Sequence, residues 1–180
     1  MQPMTTPGKN PAVSLGPNDG LLVTCPTPEE LPQLADALAT VLESGDLLLL
    51  RGELGAGKTT LTQALAHALG VGADQYVASP SFALLHEYTG RLPIFHMDLY
   101  RLHGEDDVEA AGLLDYFDQP GVCVVEWPDR LGSLTPDDRL DIEIELASLD
   151  ARRFILTPVG DSWRKRIAQV GEHLSRKTNG

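Results

Sequence analysis

The sequence is short of cysteine and contains no long hydrophobic run. Cys25 and Cys123 are the only cysteines among 180 residues, and neither lies in a metal-ligand spacing. A disulfide-stabilised secreted domain is therefore not expected. No apolar stretch approaches the roughly 20 residues that cross a bilayer, and residues 1–10 contain no apolar signal segment. Together these absences predict a cytoplasmic protein with no membrane partner.

Basic residues are also scarce, which bears on nucleic acids as partners. The chain has 14 Lys and Arg against 26 Asp and Glu, a net charge of −12. Because such a surface repels phosphates on average, we expect no DNA partner, and we do not expect this chain alone to bind RNA tightly. The bases are concentrated late: residues 151–180 hold 7 bases against 2 acids. This segment fits either a solvated helix face or a contact with RNA or a protein.

Length and hydrophobic periodicity predict one α/β domain. Residues 1–19, rich in Pro, Gly, Thr and Asn, predict a flexible arm; residues 20–175 predict a single domain, and residues 176–180 a flexible tail. The runs 47–50 and 121–125 are apolar on both faces, which is typical of central parallel strands. We therefore expect a mostly parallel central sheet flanked by helices, with antiparallel hairpin strands toward the C-terminus.

Three further patterns complete this reading. Thr27 followed by Pro28 and two glutamates is typical of a helix start. The segments 83–88 and 92–97, separated by a glycine turn, predict a hairpin. The alternating segment 140–146 predicts a half-buried strand that pairs with 154–157, and a basic helix is expected from about residue 161.

Residues 52–59 read GELGAGKT and form the strongest motif of the chain. They follow an apolar run and precede a helical pattern, which is the setting of a phosphate-binding P-loop. Glycines let backbone N–H groups approach a phosphate without an intervening Cβ, and the helix N-terminus adds positive potential. Lys58 supplies an ammonium for the β- and γ-phosphates, and Thr59 a hydroxyl for Mg²⁺. The alternative is a glycine-rich turn with a surface lysine, which the flanking elements disfavour.

Two carboxylates, Asp98 and Glu126, each end an apolar segment that we expect to be a strand. A P-loop nucleotidase needs a carboxylate in such a place to hold or organise Mg²⁺. The residues alone leave open which of the two does so, and a helix cap or a surface strand end is the alternative for each.

Four other residues carry weaker signals. Ser79 and Ser81 fit either a sensor of the γ-phosphate or a hydrogen-bonded turn. Trp127 fits either the wall of a nucleotide pocket or the core. His96 shares a strand face with the carboxylate two residues later and is expected to be a structural or indirectly acting histidine.

Four segments together resemble a known family. They read GELGAGKTT at 52–60, SPSF at 79–82, HMDLYRL at 96–102 and EWP at 126–128. In this combination and order they are similar to the bacterial TsaE (YjeE) family, the ATPase component of tRNA threonylcarbamoyladenosine biosynthesis, over about residues 21–157. The resemblance implies a P-loop NTPase fold and weak ATPase activity. It also implies partnership with TsaD and TsaB homologues, which modify adenosine 37 of tRNAs that read ANN codons, so that tRNA is met only through the complex.

The resemblance also implies roles for individual residues, with ATP and Mg²⁺ as cofactors. Lys58 and Asp98 match catalytic positions, Thr59 and Glu126 match Mg²⁺ ligands, and Trp127 matches a tryptophan near the nucleotide. The remaining cofactor-binding positions it implies are Gly55, Ala56, Gly57, Lys58, Thr59 and Thr60. Adenine contacts are implied near Thr27 and Pro28 and in the loop before Arg152. The chain departs from the family in having Ser81 where threonine is usual and Glu53 where aspartate is common.

Three other functions remain alternatives. A small-molecule kinase also uses a P-loop, but the acidic stretch 105–118 offers no arginine-bearing lid. A GTPase switch is disfavoured because the chain has no Asn-Lys-x-Asp motif, and its two DxxG matches, at 118–121 and 129–132, are misplaced relative to the strand. A non-catalytic assembly protein is the third possibility, because a small ATPase acts mainly with partners.

Overall fold

The protein is an α/β domain built on one sheet of eight strands. The structure, a computed structural model, describes residues 10–178. The sheet order is β1-β2-β8-β7-β3-β6-β5-β4. The strands are β1 (Ala12–Leu15), β2 (Leu21–Cys25), β3 (Leu47–Arg51), β4 (Leu85–Tyr88), β5 (Ile94–Asp98), β6 (Val122–Glu126), β7 (Arg139–Leu146) and β8 (Arg152–Val159). The helices are α1 (Leu31–Val41), α2 (Lys58–Ala68), α3 (Glu105–Ala110) and α4 (Asp161–Thr178).

The sheet is mixed, which corrects the expectation that it is mostly parallel. The pairs β3–β6, β3–β7 and β5–β6 are parallel, whereas β1–β2, β2–β8, β4–β5 and β7–β8 are antiparallel. The predicted C-terminal hairpin, β7 with β8, and the predicted hairpin of β4 with β5 are both confirmed. The first two strands add the antiparallel pairs that were not predicted, β1 with β2 and β2 with β8.

The central strands are buried on both faces, as their composition predicted. Leu48 and Leu50 of β3 belong to a core with α1, α2 and α4, whereas Leu47 and Leu49 belong to a core that includes Val108 of α3. Successive side chains of a strand point to opposite faces. A run of four leucines therefore contributes to both cores, and only a strand covered on both faces tolerates it.

The start of α1 is stabilised by a reciprocal cap. The backbone N–H and the hydroxyl of Thr27 both donate to the carboxylate of Glu30, at 2.8 and 2.6 Å. Pro28 follows at the first position of a short 3₁₀ turn, Pro28–Glu30, that leads into α1. The predicted start at Thr27 is thus confirmed, with one 3₁₀ turn before the α-helix.

Both predicted flexible termini need correction. Residues 12–15 form β1 on the edge of the sheet, and Gly20 is held against the backbone of Leu156. The arm is therefore wrong for residues 10–19, and its residues 1–9 lie outside the described residues. At the other end α4 continues to Thr178 rather than stopping at residue 175. Leu174 is buried in the core, and Lys177 pairs with Asp36 of α1 at 3.1 Å. Residues 179–180 lie outside the described residues.

Within residues 10–178, no helix combines the length and hydropathy that crossing a membrane requires.

Candidate active site

Polar side chains converge at the carboxyl ends of β3, β6 and β5, three neighbouring parallel strands. The loop 52–57 follows β3 and leads into α2, while Asp98 and Glu126 are the last residues of β5 and β6 and are paired in register. In parallel sheets, ligands bind outside these strand ends. The fold therefore brings together side chains that are distant in sequence; Lys58 and Glu126, for example, are 68 residues apart.

Three glycines of the loop adopt a backbone that other residues rarely adopt. Gly55 and Gly57 have φ of +80° and +112°, and open space surrounds the place where a Cβ would lie. Gly52, at φ +150°, differs in its surroundings, because a Cβ there would lie 2.7 Å from the carbonyl oxygen of Ile144. Gly52 is therefore required for packing against β7, whereas Gly55 and Gly57 leave the inner surface of the loop accessible to a ligand.

Lys58, the first residue of α2, is turned back over the loop. Its Nζ donates to the carbonyl oxygens of Gly52 and Glu53 at 2.7 and 2.9 Å, and only 5% of the residue is exposed. The ammonium also lies 4.1 Å from the ring centroid of Trp127, within the range of a cation–π contact. Burial lowers the pKa of Lys58, and the nearby carboxylates of Glu126 and Asp98 oppose that shift.

Glu126 accepts two hydrogen bonds on one oxygen. Thr59 Oγ1 donates to Glu126 Oε1 at 2.9 Å, and His96 Nε2 lies 2.8 Å from the same oxygen. Glu126 is 3% exposed and His96 is fully buried. The histidine predicted to be structural or indirectly acting thus contacts the carboxylate predicted to bind Mg²⁺.

Among the described residues, Asp98, unlike Glu126, accepts a hydrogen bond on each of its carboxylate oxygens. Ser79 Oγ donates to Oδ2, and the backbone N–H of Tyr100 donates to Oδ1 at 2.9 Å. The Asp98 N–H donates to the carbonyl oxygen of Leu84, a residue in the left-handed region at φ +67°. The carboxylate is therefore fixed in direction by the segment that carries Ser79.

These groups line a cavity of about 370 Å³. Its wall includes Gly55, Gly57, Lys58, Thr59, Thr60, Ser79, Ser81, Asp98, Glu126 and Trp127. All the sequence-predicted site residues except Ala56 are among them, and Ser79 and Ser81 also lie there. Their roles as catalytic or binding groups remain predictions.

A second cavity of about 140 Å³ lies on the other side of the loop. It is lined by the remaining predicted residue, Ala56, and by Thr27, Pro28 and Arg152. Arg152 donates through Nε to the carbonyl oxygen of Ala56 at 3.2 Å. Gly55, Gly57 and Thr60 border both cavities. The segments that were expected to contact adenine thus meet at one place, next to the loop.

Sequence reasoning missed Tyr100 and Arg101 as cavity residues. The Tyr100 ring lies 5.0 Å from that of Trp127, and the Arg101 guanidinium lies 3.9 Å from the ring centroid of Phe82. They lie two and three residues after Asp98 and line the cavity. Their position just beyond a strand end that carries a predicted catalytic residue was the signal that could have identified them.

The donor set of the first cavity suits a polyphosphate and a small hard cation. Backbone N–H groups at a helix N-terminus and one ammonium are attractive to phosphate oxygens. One hydroxyl and one carboxylate, 2.9 Å apart at Thr59 and Glu126, are oxygen ligands of the kind that Mg²⁺ uses when phosphates complete its shell. Within residues 10–178, no group of three or more His, Cys, Asp or Glu side chains is arranged to hold a metal ion without such help.

Comparison with known proteins points to one family. Residues 25–154 match the family model described as Threonylcarbamoyl adenosine biosynthesis protein TsaE. The tRNA threonylcarbamoyladenosine biosynthesis protein TsaE of Bacillus subtilis (strain 168) is 42% identical over 153 residues, which cover 84% of this chain and 92% of that protein. The protein of the same name from Streptomyces coelicolor is 40% identical over 138 residues, covering 73% and 92%.

A solved structure is similar as well. The crystal structure of Bacillus subtilis YdiB aligns with a TM-score of 0.72 and 35% identity, covering 90% of this chain and 97% of that one. The segment 25–154 matched by the family model contains every residue that lines the two cavities.

Proposed function

The chain belongs to the TsaE family of threonylcarbamoyl adenosine biosynthesis proteins, and from that membership we propose that it is the ATP-hydrolysing subunit of a tRNA-modifying assembly. The observation that carries the proposal is the convergence of Lys58, Thr59, Asp98 and Glu126 on one cavity beside a glycine-rich loop. The proposed fold type is accordingly that of a P-loop nucleotidase, and the proposed place of action is the cytoplasm, where tRNAs are modified.

The proposed reaction is attack of water on the γ-phosphorus of ATP, which forms a P–O bond as the bond to the ADP oxygen breaks. Asp98 orients the water and takes up its proton, since Ser79 and the Tyr100 N–H hold its carboxylate in one direction. Lys58 leaves the loop carbonyls and donates to the phosphate oxygens, which keeps its ammonium paired throughout.

Thr59 and Glu126 are the proposed ligands of Mg²⁺. When bound, the ion neutralises charge on the phosphate oxygens. Trp127 closes the wall beside Lys58 and limits the access of bulk water, because its ring covers the ammonium at 4.1 Å. The adenine is proposed to occupy the second cavity, between the Thr27 turn and Arg152, since only the loop separates that cavity from the first.

The proposed partners are homologues of TsaD and TsaB, with tRNA met through their complex. The net charge of −12 supports an indirect encounter, because a strongly acidic chain attracts RNA poorly by itself. A pull-down with the TsaD and TsaB homologues, with and without ATP, tests this. Association is expected, and a failure to associate in any nucleotide state would contradict the proposed partnership.

A phosphate-release assay with Asp98→Ala tests the proposed chemistry. We expect turnover to fall by about 100-fold or more, because the water loses its orienting carboxylate. Circular dichroism and the unfolding midpoint should match the wild type, which is the control for folding. Normal hydrolysis by a folded Asp98→Ala protein would remove Asp98 from the mechanism. Transfer of phosphate to a metabolite instead of its release would indicate a small-molecule kinase.

A further inference from the structure

His96 makes one side-chain hydrogen bond among the described residues, and its partner is Glu126. It is fully buried on β5, between the apolar residues Phe95 and Met97. Its Nε2 lies 2.8 Å from Glu126 Oε1, while its Nδ1 is buried and has no hydrogen-bond partner. An unpartnered buried nitrogen costs free energy. An apolar side chain at this position would avoid that cost, so the contact with Glu126 is what the histidine contributes.

The unpartnered nitrogen also defines the tautomer. A proton on Nδ1 would lie in the protein interior without an acceptor among the described residues, so the ring proton is assigned to Nε2. In that form His96 donates to Glu126 Oε1. Because Thr59 donates to the same oxygen, neither of these two hydrogen bonds uses Oε2. Two donors from different elements, β5 and α2, thus prevent the carboxylate from rotating.

We propose that His96 is a positioning residue that orients the Glu126 carboxylate for Mg²⁺, an inference that rests on the proposed ATPase function. Groups that hold a metal ligand in place typically change metal affinity by 10–100-fold when they are removed. His96 does not touch nucleotide, since it is fully buried behind Glu126. Its loss should therefore weaken the magnesium-dependent part of ATP binding and spare the magnesium-independent part.

Glutamine and asparagine provide a matched pair of variants. The amide nitrogen of glutamine is the same number of bonds from Cα as histidine Nε2, whereas that of asparagine corresponds to Nδ1 and falls short of Glu126. Both variants introduce the same chemical group into the same buried place. A difference between His96→Gln and His96→Asn therefore reports the hydrogen bond to Glu126 and not burial of an amide.

The experiment titrates each full-length protein with a fluorescent ATP analogue, in excess EDTA and at increasing MgCl₂. We expect all folded proteins to bind within about twofold of one another in EDTA. The MgCl₂ concentration for half-maximal enhancement of binding should rise about tenfold or more in His96→Asn and stay near the wild-type value in His96→Gln. Equal MgCl₂ dependence in wild type and His96→Asn would overturn the proposal, as would a folded His96→Gln protein that behaves like a site without the hydrogen bond.

Failure of the proposed ATPase function and failure of the role of His96 give different results. A wild-type protein that binds no ATP analogue with or without MgCl₂ would overturn the proposed function, and the role of His96 with it. Magnesium-enhanced binding in wild type that is unaffected by His96→Asn would overturn only the role of His96. If His96→Asn does not fold, His96→Leu takes its place as the variant that lacks the hydrogen bond to Glu126, and wild-type MgCl₂ dependence in that protein overturns the role of His96.

Discussion

Two buried polar clusters lie at opposite ends of β3 and are built differently. Asp46, just before the strand, and Arg166 of α4 form the first, which we call the clamp. The second, which we call the site cluster, follows the other end of the strand and consists of Lys58, His96, Asp98 and Glu126. All six residues are at most 9% exposed.

The polar groups of the clamp are paired with one another and with neighbouring groups of the chain. Arg166 donates to both oxygens of Asp46 at 2.8 and 2.7 Å, to the carbonyl oxygen of Val41 at 2.8 Å and to the hydroxyl of Ser162 at 2.6 Å. Its guanidinium also lies 4.3 Å from the ring centroid of Trp163. The hydrogen bonds that Arg166 donates to Asp46 raise the pKa of Arg166 against the effect of burial. These contacts join α4 to the turn before β3, so the clamp holds a helix on the sheet.

The site cluster is only partly satisfied. His96 Nδ1 has no hydrogen-bond partner among the described residues, and Glu126 takes two hydrogen bonds on one oxygen. Lys58 is bonded to loop carbonyls that phosphate oxygens replace in the proposed reaction. Buried polar groups in a folded protein are normally paired, so an incompletely paired cluster next to a cavity indicates a binding site. Pairing of the polar groups, more than burial or charge, therefore separates the clamp from the cluster that is proposed to bind nucleotide.

Asp46→Ala should produce the largest effect and should affect stability alone. Arg166 would remain buried with Glu43, at 3.8 Å, as its one remaining ion-pair partner among the described residues, so we expect a loss of about 3 kcal/mol in the free energy of unfolding. Urea denaturation measures it. Asp36→Ala, which breaks an exposed pair with Lys177, is the control and should cost less than about 1 kcal/mol. Equal losses in the two variants would remove the distinction between the clamp and a surface ion pair.

Lys58→Ala should lower activity and leave stability nearly unchanged, which is the opposite of what Asp46→Ala should do. We expect ATP turnover to fall by about 100-fold, because the phosphates lose their ammonium. The free energy of unfolding should change by less than about 1 kcal/mol, because the variant also removes the cost of burying a charge. Phosphate release and urea denaturation are measured side by side, with Lys177→Ala as the control. A loss of stability as large as that of Asp46→Ala would mean that Lys58 is as structural as the clamp.

The two tryptophans allow each cluster to be observed separately. Trp127 lies beside Lys58, whereas Trp163 is 1% exposed and stacks on Arg166. Adding ATP should change the emission of the Trp163→Phe protein, which retains Trp127, and leave that of Trp127→Phe nearly unchanged. An equal response from both proteins would show that nucleotide acts on the whole domain.

The reactivity of the two cysteines should differ least between the two halves of the sheet. Burial raises the pKa of Cys25 on β2 and of Cys123 on β6 to about 12. Since only the thiolate reacts, neither should react with a disulfide reagent at pH 8 until the protein is unfolded, when two thiols appear. Selective labelling of one native cysteine would reveal local opening of its half.

The raised pKa values of the two thiols also make the free energy of unfolding depend on pH. An unfolded thiol has a pKa of about 8.5, so ionisation favours the unfolded state above that pH. The contribution of both thiols to stability should be complete below pH of about 8.5 and decline as the pH rises toward 12. Urea denaturation at increasing pH measures this, and a Cys25→Ala, Cys123→Ala double variant is the control that should show less decline.

Several elements could be predicted because their signal is local. The run 47–50, the loop 52–59 and the two hairpins depend on periodicity and turn residues within a few positions of each other. The edge strand β1 was missed because three of its four residues are exposed and it has no regular apolar pattern. The mixed sheet was missed because Leu21 pairs with Leu156, and nothing local specifies the direction of a pairing across so long a separation.

The sequence by itself determined the loop, the two strands that end in carboxylates, and the family. Those follow from residue types at short, ordered spacings. Only the tertiary structure decided that Ser79 holds Asp98, that Trp127 covers Lys58 and that His96 shares an oxygen of Glu126 with Thr59. Each of these contacts joins separate elements of the fold. It depends on sheet order and register, which arise from packing over the whole chain.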